Sequence, residues 1–288
     1  MFFLIGLAVV FGALLTGYIM EKGSIAVLLH PLPAEGIMIF GMGLGAFLAS
    51  NPMEVIKAVA GSIMMPLKGP KYTKAAYMEA LMMQYEVYVN IKKGGLLALE
   101  QDVNDPHSSS IFKKYSILLH DHHSLEFYCD SMKLLINGSA KIDEIDQVME
   151  ADLDLHHAES ALPGAAVNNL ADSLPAFGIV ACVCGVVITM GFLDKPPDVI
   201  GGKVGAALVG TMLGILLSYG IFGPLAKHID ALKHGEGHFF NCLRAGLLAF
   251  GNGAAPVTAV EFARRSVPGH DRPGAQELEE VVRQIKPR

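Results

Sequence analysis

Charged side chains are what this sequence has least of. Only 17% of its 288 residues are Asp, Glu, Lys or Arg, while 52% are hydrophobic; an average soluble domain carries about 25% charge. The apolar excess is gathered into runs of about 20 residues almost free of charge, the length that crosses a bilayer. A disordered chain and a collagen-like chain are thereby excluded. Basic residues are not in excess either, and a net charge of −6 argues against a nucleic-acid partner. The four cysteines, Cys129, Cys182, Cys184 and Cys242, are too few and too apolar in setting for a disulfide framework. No phosphate-binding loop is present, so nucleotide hydrolysis by this chain is not the energy source. His120, His122, His123, His156, His157, His234 and His238 lack the HExxH order and an adjacent thiolate pair, so neither a metal nor a cofactor is expected. With no nucleophile or metal constellation, the chain does not read as an enzyme.

What is present is four apolar stretches: 1–20, about 34–50, about 174–193 and about 204–225. The first lacks a basic n-region and an A-x-A cleavage site, so it reads as a retained helix rather than a secretory signal. The short connections hold few cations, Lys22, Lys195 and Lys203, whereas Lys57, Lys68 and Lys71 follow the second stretch and Lys227, Lys233 and Arg244 follow the fourth. The positive-inside rule then puts residues 51–170 and the tail 226–288 in the cytoplasm, with both termini inside. Residues 1–50 and 171–225 form the two membrane hairpins.

The cytoplasmic segments read as helices. Tyr77, Leu81, Gln84, Tyr85, Tyr88, Leu96 and Leu99 recur at helical spacing, with Lys74, Glu79, Glu86 and Lys92 between them. Asn104-Asp105-Pro106 breaks that pattern, and a second run from Ile111 is stopped by Asn137-Gly138. An acidic helix is expected from Ile142 to about Ala161, another over Phe239–Phe250, and a short amphipathic one over Glu277–Arg283. No strand alternation and no repeat appear. The expected fold is all-α, an integral membrane protein with a large helical cytoplasmic part.

The spans themselves carry no acid or base near their middles on this reading. Glu35, Asp172 and Lys203 fall at span entrances, where interface anchoring is the plain role. Thr16, Thr189, Thr211, Ser218 and Tyr219 supply hydroxyls only. If ions cross, another polypeptide must bring the carboxylate. Ala206, Gly210, Gly214 and Ser218 form a line of small residues on the fourth span, matched by Ala181, Gly185 and Thr189 on the third. Such lines allow close backbone approach in lipid, either within one subunit or around another chain's helix. Pro175 and Pro224 each delete a backbone donor. They are either helix punctuation, at the start of the third span and the end of the fourth, or hinges.

Leu174-Pro-Ala-Phe-Gly-Ile-Val, Gly210-Thr-Met-Leu-Gly-Ile-Leu-Leu-Ser-Tyr-Gly, Gly223-Pro-Leu-Ala and Ala254-Ala-Pro-Val-Thr-Ala-Val-Glu-Phe-Ala-Arg-Arg closely resemble the MotA family of flagellar motor stator subunits. The likeness extends over essentially the whole chain, and four spans match MotA rather than the three-span ExbB and TolQ proteins. The resemblance implies a bacterial inner-membrane protein that forms a ring, taken to be five copies, around two single-span, peptidoglycan-binding MotB chains. Each MotB span would carry the proton-binding aspartate. Pro175 would lie beside that aspartate and Pro224 would serve energy coupling. Thr211, Thr189 and Tyr219 would be hydroxyls of the ion pathway, with Ala181, Gly185, Ala206, Gly210, Gly214 and Ser218 packing the partner helix. Cys182 stands where sodium-driven relatives carry threonine, which points to H+ rather than Na+ as coupling ion. Torque would come from a family arginine and glutamate facing the rotor protein FliG. Glu100 matches the glutamate, and Lys92, beside Lys93, stands at the arginine position, keeping the charge but not the planar fork. On one helix those charges would be about 12 Å apart. Two other readings remain open from residues alone: an ExbB/TolQ-like energiser of outer-membrane processes, and a non-conducting membrane scaffold.

Overall fold

The computed structural model describes residues 2–285, so Met1 of the first predicted stretch lies outside the described residues. Fourteen α-helices account for most of the chain, and no strand occurs among the described residues. They are α1 (Phe2–Met20), α2 (Ile25–Leu29), α3 (Leu32–Ser50), α4 (Met53–Ser62), α5 (Met65–Lys68), α6 (Lys74–Gly94), α7 (Glu100–Asn104), α8 (Ser116–Leu119), α9 (His122–Asn137), α10 (Ile142–Met190), α11 (Pro197–Leu217), α12 (Gly223–Gly251), α13 (Pro256–Ser266) and α14 (Ala275–Gln284). The all-α expectation holds.

Four helical runs are long and apolar enough to cross a membrane: Phe2–Met20, Ile25–Ser50, Ile142–Met190 and Pro197–Gly251. Two of them differ from the sequence reading in a way that physics explains. The acidic helix predicted to end near Ala161 and the span predicted to begin near Leu174 are one helix, α10, of 49 residues. At 1.5 Å per residue it is about 74 Å long, more than twice the roughly 30 Å of a hydrocarbon core. Its charge-rich first half therefore belongs to water and its apolar second half to lipid. Likewise the helix over Phe239–Phe250 continues the fourth span without a break. Pro163 and Pro175 lie inside α10 rather than at an end.

The chain divides into two units, residues 1–69 with 160–232 and residues 70–159 with 233–288. The boundaries are not those predicted at 50, 170 and 225. Helix α4, expected in the cytoplasmic part, packs Val55 and Val59 on Ala166, Val167, Leu225, Ala226 and Ile229 of the membrane unit. The apolar spans thus extend into a shared collar instead of stopping where hydropathy falls.

The second unit has the larger core, built from α6, α9, α12 and α13. Tyr77, Leu81, Gln84 and Tyr88 form the buried stripe of α6, as their spacing predicts. Tyr88 stacks on Phe250 at 4.4 Å and donates to Gln84 Oε1 at 2.8 Å. Helix α6 ends earlier than expected, at Gly94, because Gly95 takes a left-handed φ of 82° that helix cannot continue through. The run predicted from Ile111 to Ile136 is likewise interrupted around His120-Asp121, where Asp121 accepts from Tyr72 and Ser124 at 2.7 Å each.

Charges hold this unit as much as apolar packing does. Glu86, read as a surface residue of α6, is buried; it receives Lys114 Nζ at 2.5 Å and Tyr115 Oη at 2.7 Å. Arg244 of α12 pairs with Asp146 and, at 3.5 Å, Glu150 of α10, which explains part of that helix's acidity. On α13, Arg264 and Arg265 converge on Glu261 at 2.7 and 2.8 Å and hold its carboxyl down at about 2. A depressed carboxylate contributes stability that is full above the ordinary glutamate range and lost as pH falls through that depressed value. Thermal unfolding of Glu261→Gln should therefore lie below wild type at neutral pH and merge with it near pH 2; curves that stay apart in acid would contradict the clamp.

Candidate functional site

The membrane unit is assembled by backbone approach. Gly178 of α10 faces α11 so closely that an added Cβ would sit 2.9 Å from the Gly210 carbonyl and 3.1 Å from the Gly214 Cα. A Cβ on Gly214 would meet the Leu174 carbonyl at 2.6 Å, and one on Gly185 would meet the Ala207 Cβ at 2.6 Å. Without a hydrophobic drive inside lipid, such close van der Waals packing is what joins helices. Ala181 is fully buried in the same seam. The small-residue lines serve contacts within this chain, where Gly210, Gly214, Ala181 and Gly185 meet α3, α10 and α11. Ser218 is also buried, while Ala206 is half-buried and lines a cavity.

The predicted ion-pathway residues separate by position. Thr211 lies beside Gly178, its Cα 3.3 Å from where a Gly178 Cβ would be. Pro175 and Cys182, three residues before and four after Gly178, share that helix face. Pro175, Cys182 and Thr211 are each half-buried. Thr189 is sealed in: it is buried and donates to the Gly185 carbonyl at 2.8 Å. That bond takes up its proton and leaves the hydroxyl oxygen as an acceptor. Tyr219 points the other way and is 72% exposed.

Pro224 does not end a helix. The chain passes from α11 through a π turn, Ser218–Phe222, straight into α12. Proline removes the donor that would serve the Gly220 carbonyl. The wider register absorbs the defect: the Gly223 amide donates five residues back to the Ser218 carbonyl. Gly223 is required there, because a Cβ would lie 3.0 Å from that same oxygen. Single π turns inside α-helices are frequent at functional positions, so a hinge is the better of the two readings of Pro224.

One acid was misplaced by the sequence reading. The apolar helical run that holds the second span starts at Ile25, earlier than residue 34, and is interrupted between α2 and α3. Glu35, taken as an entrance residue, is thus ten residues into the run; it is 5% exposed, and its Oε2 has no hydrogen-bond partner. Its carboxyl lies against Gly210, where an added Cβ would collide with it. Hydropathy hid this, since Pro31 and Pro33 mark an apparent helix start while α2 in fact prolongs the apolar path.

The rotor-facing candidates are all exposed, but not on one helix. Lys92 and Lys93 close α6, and Glu100 opens α7 beyond a left-handed glycine and a 3-10 turn. The spacing argument that put them on a single helical face does not hold. Lys92 Nζ sits 5.9 Å from the Phe250 ring, and Lys93 lines an open cleft of about 570 Å³ with Asp102 and Asp105.

Four apolar spans, a glycine-packed bundle and a charged helical unit define a helical membrane protein. Residues 120–236 match the MotA/TolQ/ExbB proton channel family, and residues 4–95 match the motility protein A N-terminal family. The chain is 38% identical to motility protein A of Escherichia coli strain K12 and 37% identical to that of Salmonella typhimurium, each over 99% of this chain and 96% of the relative. The chain belongs to the motility protein A family. Its fold matches the C. jejuni MotAB structure with a TM-score of 0.76 at 19% identity, over 94% of this chain and 98% of the other. The Bacillus subtilis flagellar MotAB stator complex gives 0.73 at 22% identity, over 93% and 96%.

The seam makes a direct prediction. In Gly214→Ala the added carbon meets backbone atoms of Leu174 and Gly178 that cannot swing away. Overpacking of this kind costs about 1–3 kcal/mol. Gly201→Ala, with nothing within 4 Å of its Cβ, serves as control. Thermal unfolding in detergent should drop for the first and not the second; equal melting would refute the seam.

Proposed function

We propose that this chain is a subunit of a flagellar stator which, with a MotB-like single-span peptidoglycan-binding partner, couples inward proton flow across the bacterial inner membrane to torque on the rotor. The observation that carries this is the whole-chain identity to motility protein A. Two relatives of the same fold are described as MotAB complexes, one of them a flagellar stator. The protein sits as a ring of five copies around two partner spans, with its N- and C-termini in the cytoplasm, where Lys57, Lys68, Lys227 and Lys233 concentrate.

The chemistry follows from the seam. A proton from outside neutralises the aspartate brought by the partner span. A charged carboxylate is costly in a low-dielectric pocket, so its neutralisation shifts the packing of that span by several kcal/mol, on the order of the cost of burying a lone charge. The half-buried stretch with Pro175, Cys182 and Thr211 is the face that responds. The proline-linked π turn before α12 lets the response pass along a helix that continues for 29 residues beyond it. Cys182, rather than a further hydroxyl, favours H+ over Na+ as coupling ion. Lys92 and Glu100, with Lys93 beside them, then meet complementary charges on FliG. Because they sit on separate helices, they act as two point charges rather than as a paired stripe.

Two measurements test this reading. Replacing the partner's membrane aspartate by asparagine should abolish swimming while the complex still assembles; continued rotation would sink it. Lys92→Glu and Glu100→Lys should each cut swimming while proton flux through the complex persists and the protein still folds, as both side chains are exposed. Unchanged motility in both would remove the rotor assignment.

A further inference from the structure

The geometry points to Glu35 as a proton relay carried by this chain itself, fed from an open cavity at the outer end of the bundle and standing between that cavity and the partner's acid. The inference rests on the proton-conducting reading above and adds to it a second carboxyl.

Three observations converge on it. First, Glu35 is 95% removed from solvent, and its Oε2 has no hydrogen-bond partner. An intramembrane ionisable group is costly and is retained for a task, usually with a partner that shares its charge; here none is found. Second, the fold leaves space for it. Gly210 is the α11 residue facing the carboxyl, and any side chain there would drive into it. Ala181 of α10 closes the same spot at 3.3 Å from the Gly210 Cβ position. Third, a cavity of about 370 Å³ opens directly above, lined by Ala26, His30, Pro31, Asp198, Lys203 and Ala206 among others. Pro31 is one helical turn before Glu35, whose amide donates to the Pro31 carbonyl at 3.0 Å. Ala206 is one turn before Gly210 on the facing helix. Two residues of the cavity wall, Pro31 and Ala206, thus stand one helical turn, about 5 Å of helix, before Glu35 and Gly210.

The other ionisable groups around it are few. His30 from the α2–α3 link and Asp198 and Lys203 from α11 line the cavity. Lys203 Nζ is also 4.9 Å from the Phe192 ring. Over the facing length, α10 offers only the thiols Cys182 and Cys184. A proton entering from the cavity converts the Glu35 carboxylate to the acid. The same proton then leaves for the partner's aspartate, which restores the carboxylate; no other reagent is needed. His30 and Asp198 at the rim can collect the proton, and Lys203 discourages passage of other cations.

The test uses the complex with its partner reconstituted in liposomes, with proton flux followed as external pH is varied. Glu35→Gln keeps size and removes the exchangeable proton. Its flux should be several-fold below wild type in alkaline outside buffer, where protons are scarce, and should approach wild type on acidification. Glu35→Asp should fall between the two. A deficit of equal size at every pH would mean a structural role and overturn the relay, as would wild-type flux in Glu35→Gln throughout. Ala206→Leu narrows the cavity one turn above without altering the carboxyl, and unimpaired flux in it would also overturn the relay, even if the Glu35 variants fail to assemble. If the wild-type complex passes no protons at all, both this inference and the proton-conducting reading fall; if only the variants are silent on the matter of pH, the relay alone does.

Discussion

Everything in the membrane unit depends on how closely α10 and α11 can approach. Gly178 and Gly214 bring backbone onto backbone at distances no side chain would tolerate, Gly185 lies close against Ala207, and Gly210 makes room for the Glu35 side chain. In lipid this is the main attraction available, so the seam fixes where every other membrane residue points. It places Thr211 beside Gly178, hence near Pro175 and Cys182. It also clears the space at Gly210 that Glu35 occupies. A bulky residue at any one of these glycines would move the candidate pathway as a whole.

The second unit follows a different rule, because water supplies the hydrophobic drive that lipid lacks. Its core is large and aromatic, with Tyr77, Tyr88, Tyr128, Phe112 and Phe239 fully buried. Yet it also encloses Glu86, Asp121 and Glu236, each met by cationic and hydroxyl partners, Lys114 and Tyr115, Lys71 and Tyr72, and Lys233 and Tyr72 respectively. Such pairs are weak sources of net stability, but losing one partner strands a buried charge. They tie the loops around α8 to α6, α9 and α12. The exposed charges Lys92 and Glu100 are thus presented from a framework whose register is set by buried charges.

The two long helical runs link these rules within single elements. Each begins or ends as a charged helix and continues as an apolar one, with prolines at the transition instead of breaks. At Pro224 the helix survives by widening to a π turn, a solution open only because Gly223 and Ser218 permit it.

Much of this was legible in the residues. Charge-free runs of spanning length gave the membrane class, the spacing of Tyr77, Leu81, Gln84 and Tyr88 gave the buried face of α6, and the quoted motifs gave the family. The end of α9 was legible at Asn137-Gly138, whereas the end of α6 at Gly95 was not, because the apolar spacing runs on to Leu99. Proline misled, because its local penalty predicts a boundary at Pro175 and Pro224, while packing from neighbours holds both helices together through it. Glu35 misled for the complementary reason: hydropathy averages over a window and counts an acid near prolines as a border, whereas its burial depends on α11 lying against it. The pairing of Glu86 with Lys114 and Tyr115 was equally out of reach. Composition and periodicity determine which segments must leave water and which face of a helix is apolar, since these are sums over local transfer energies. Which small residues meet, which acid is enclosed and which hydroxyl is sealed depend on distances between segments far apart in the chain, and only the tertiary structure decides those.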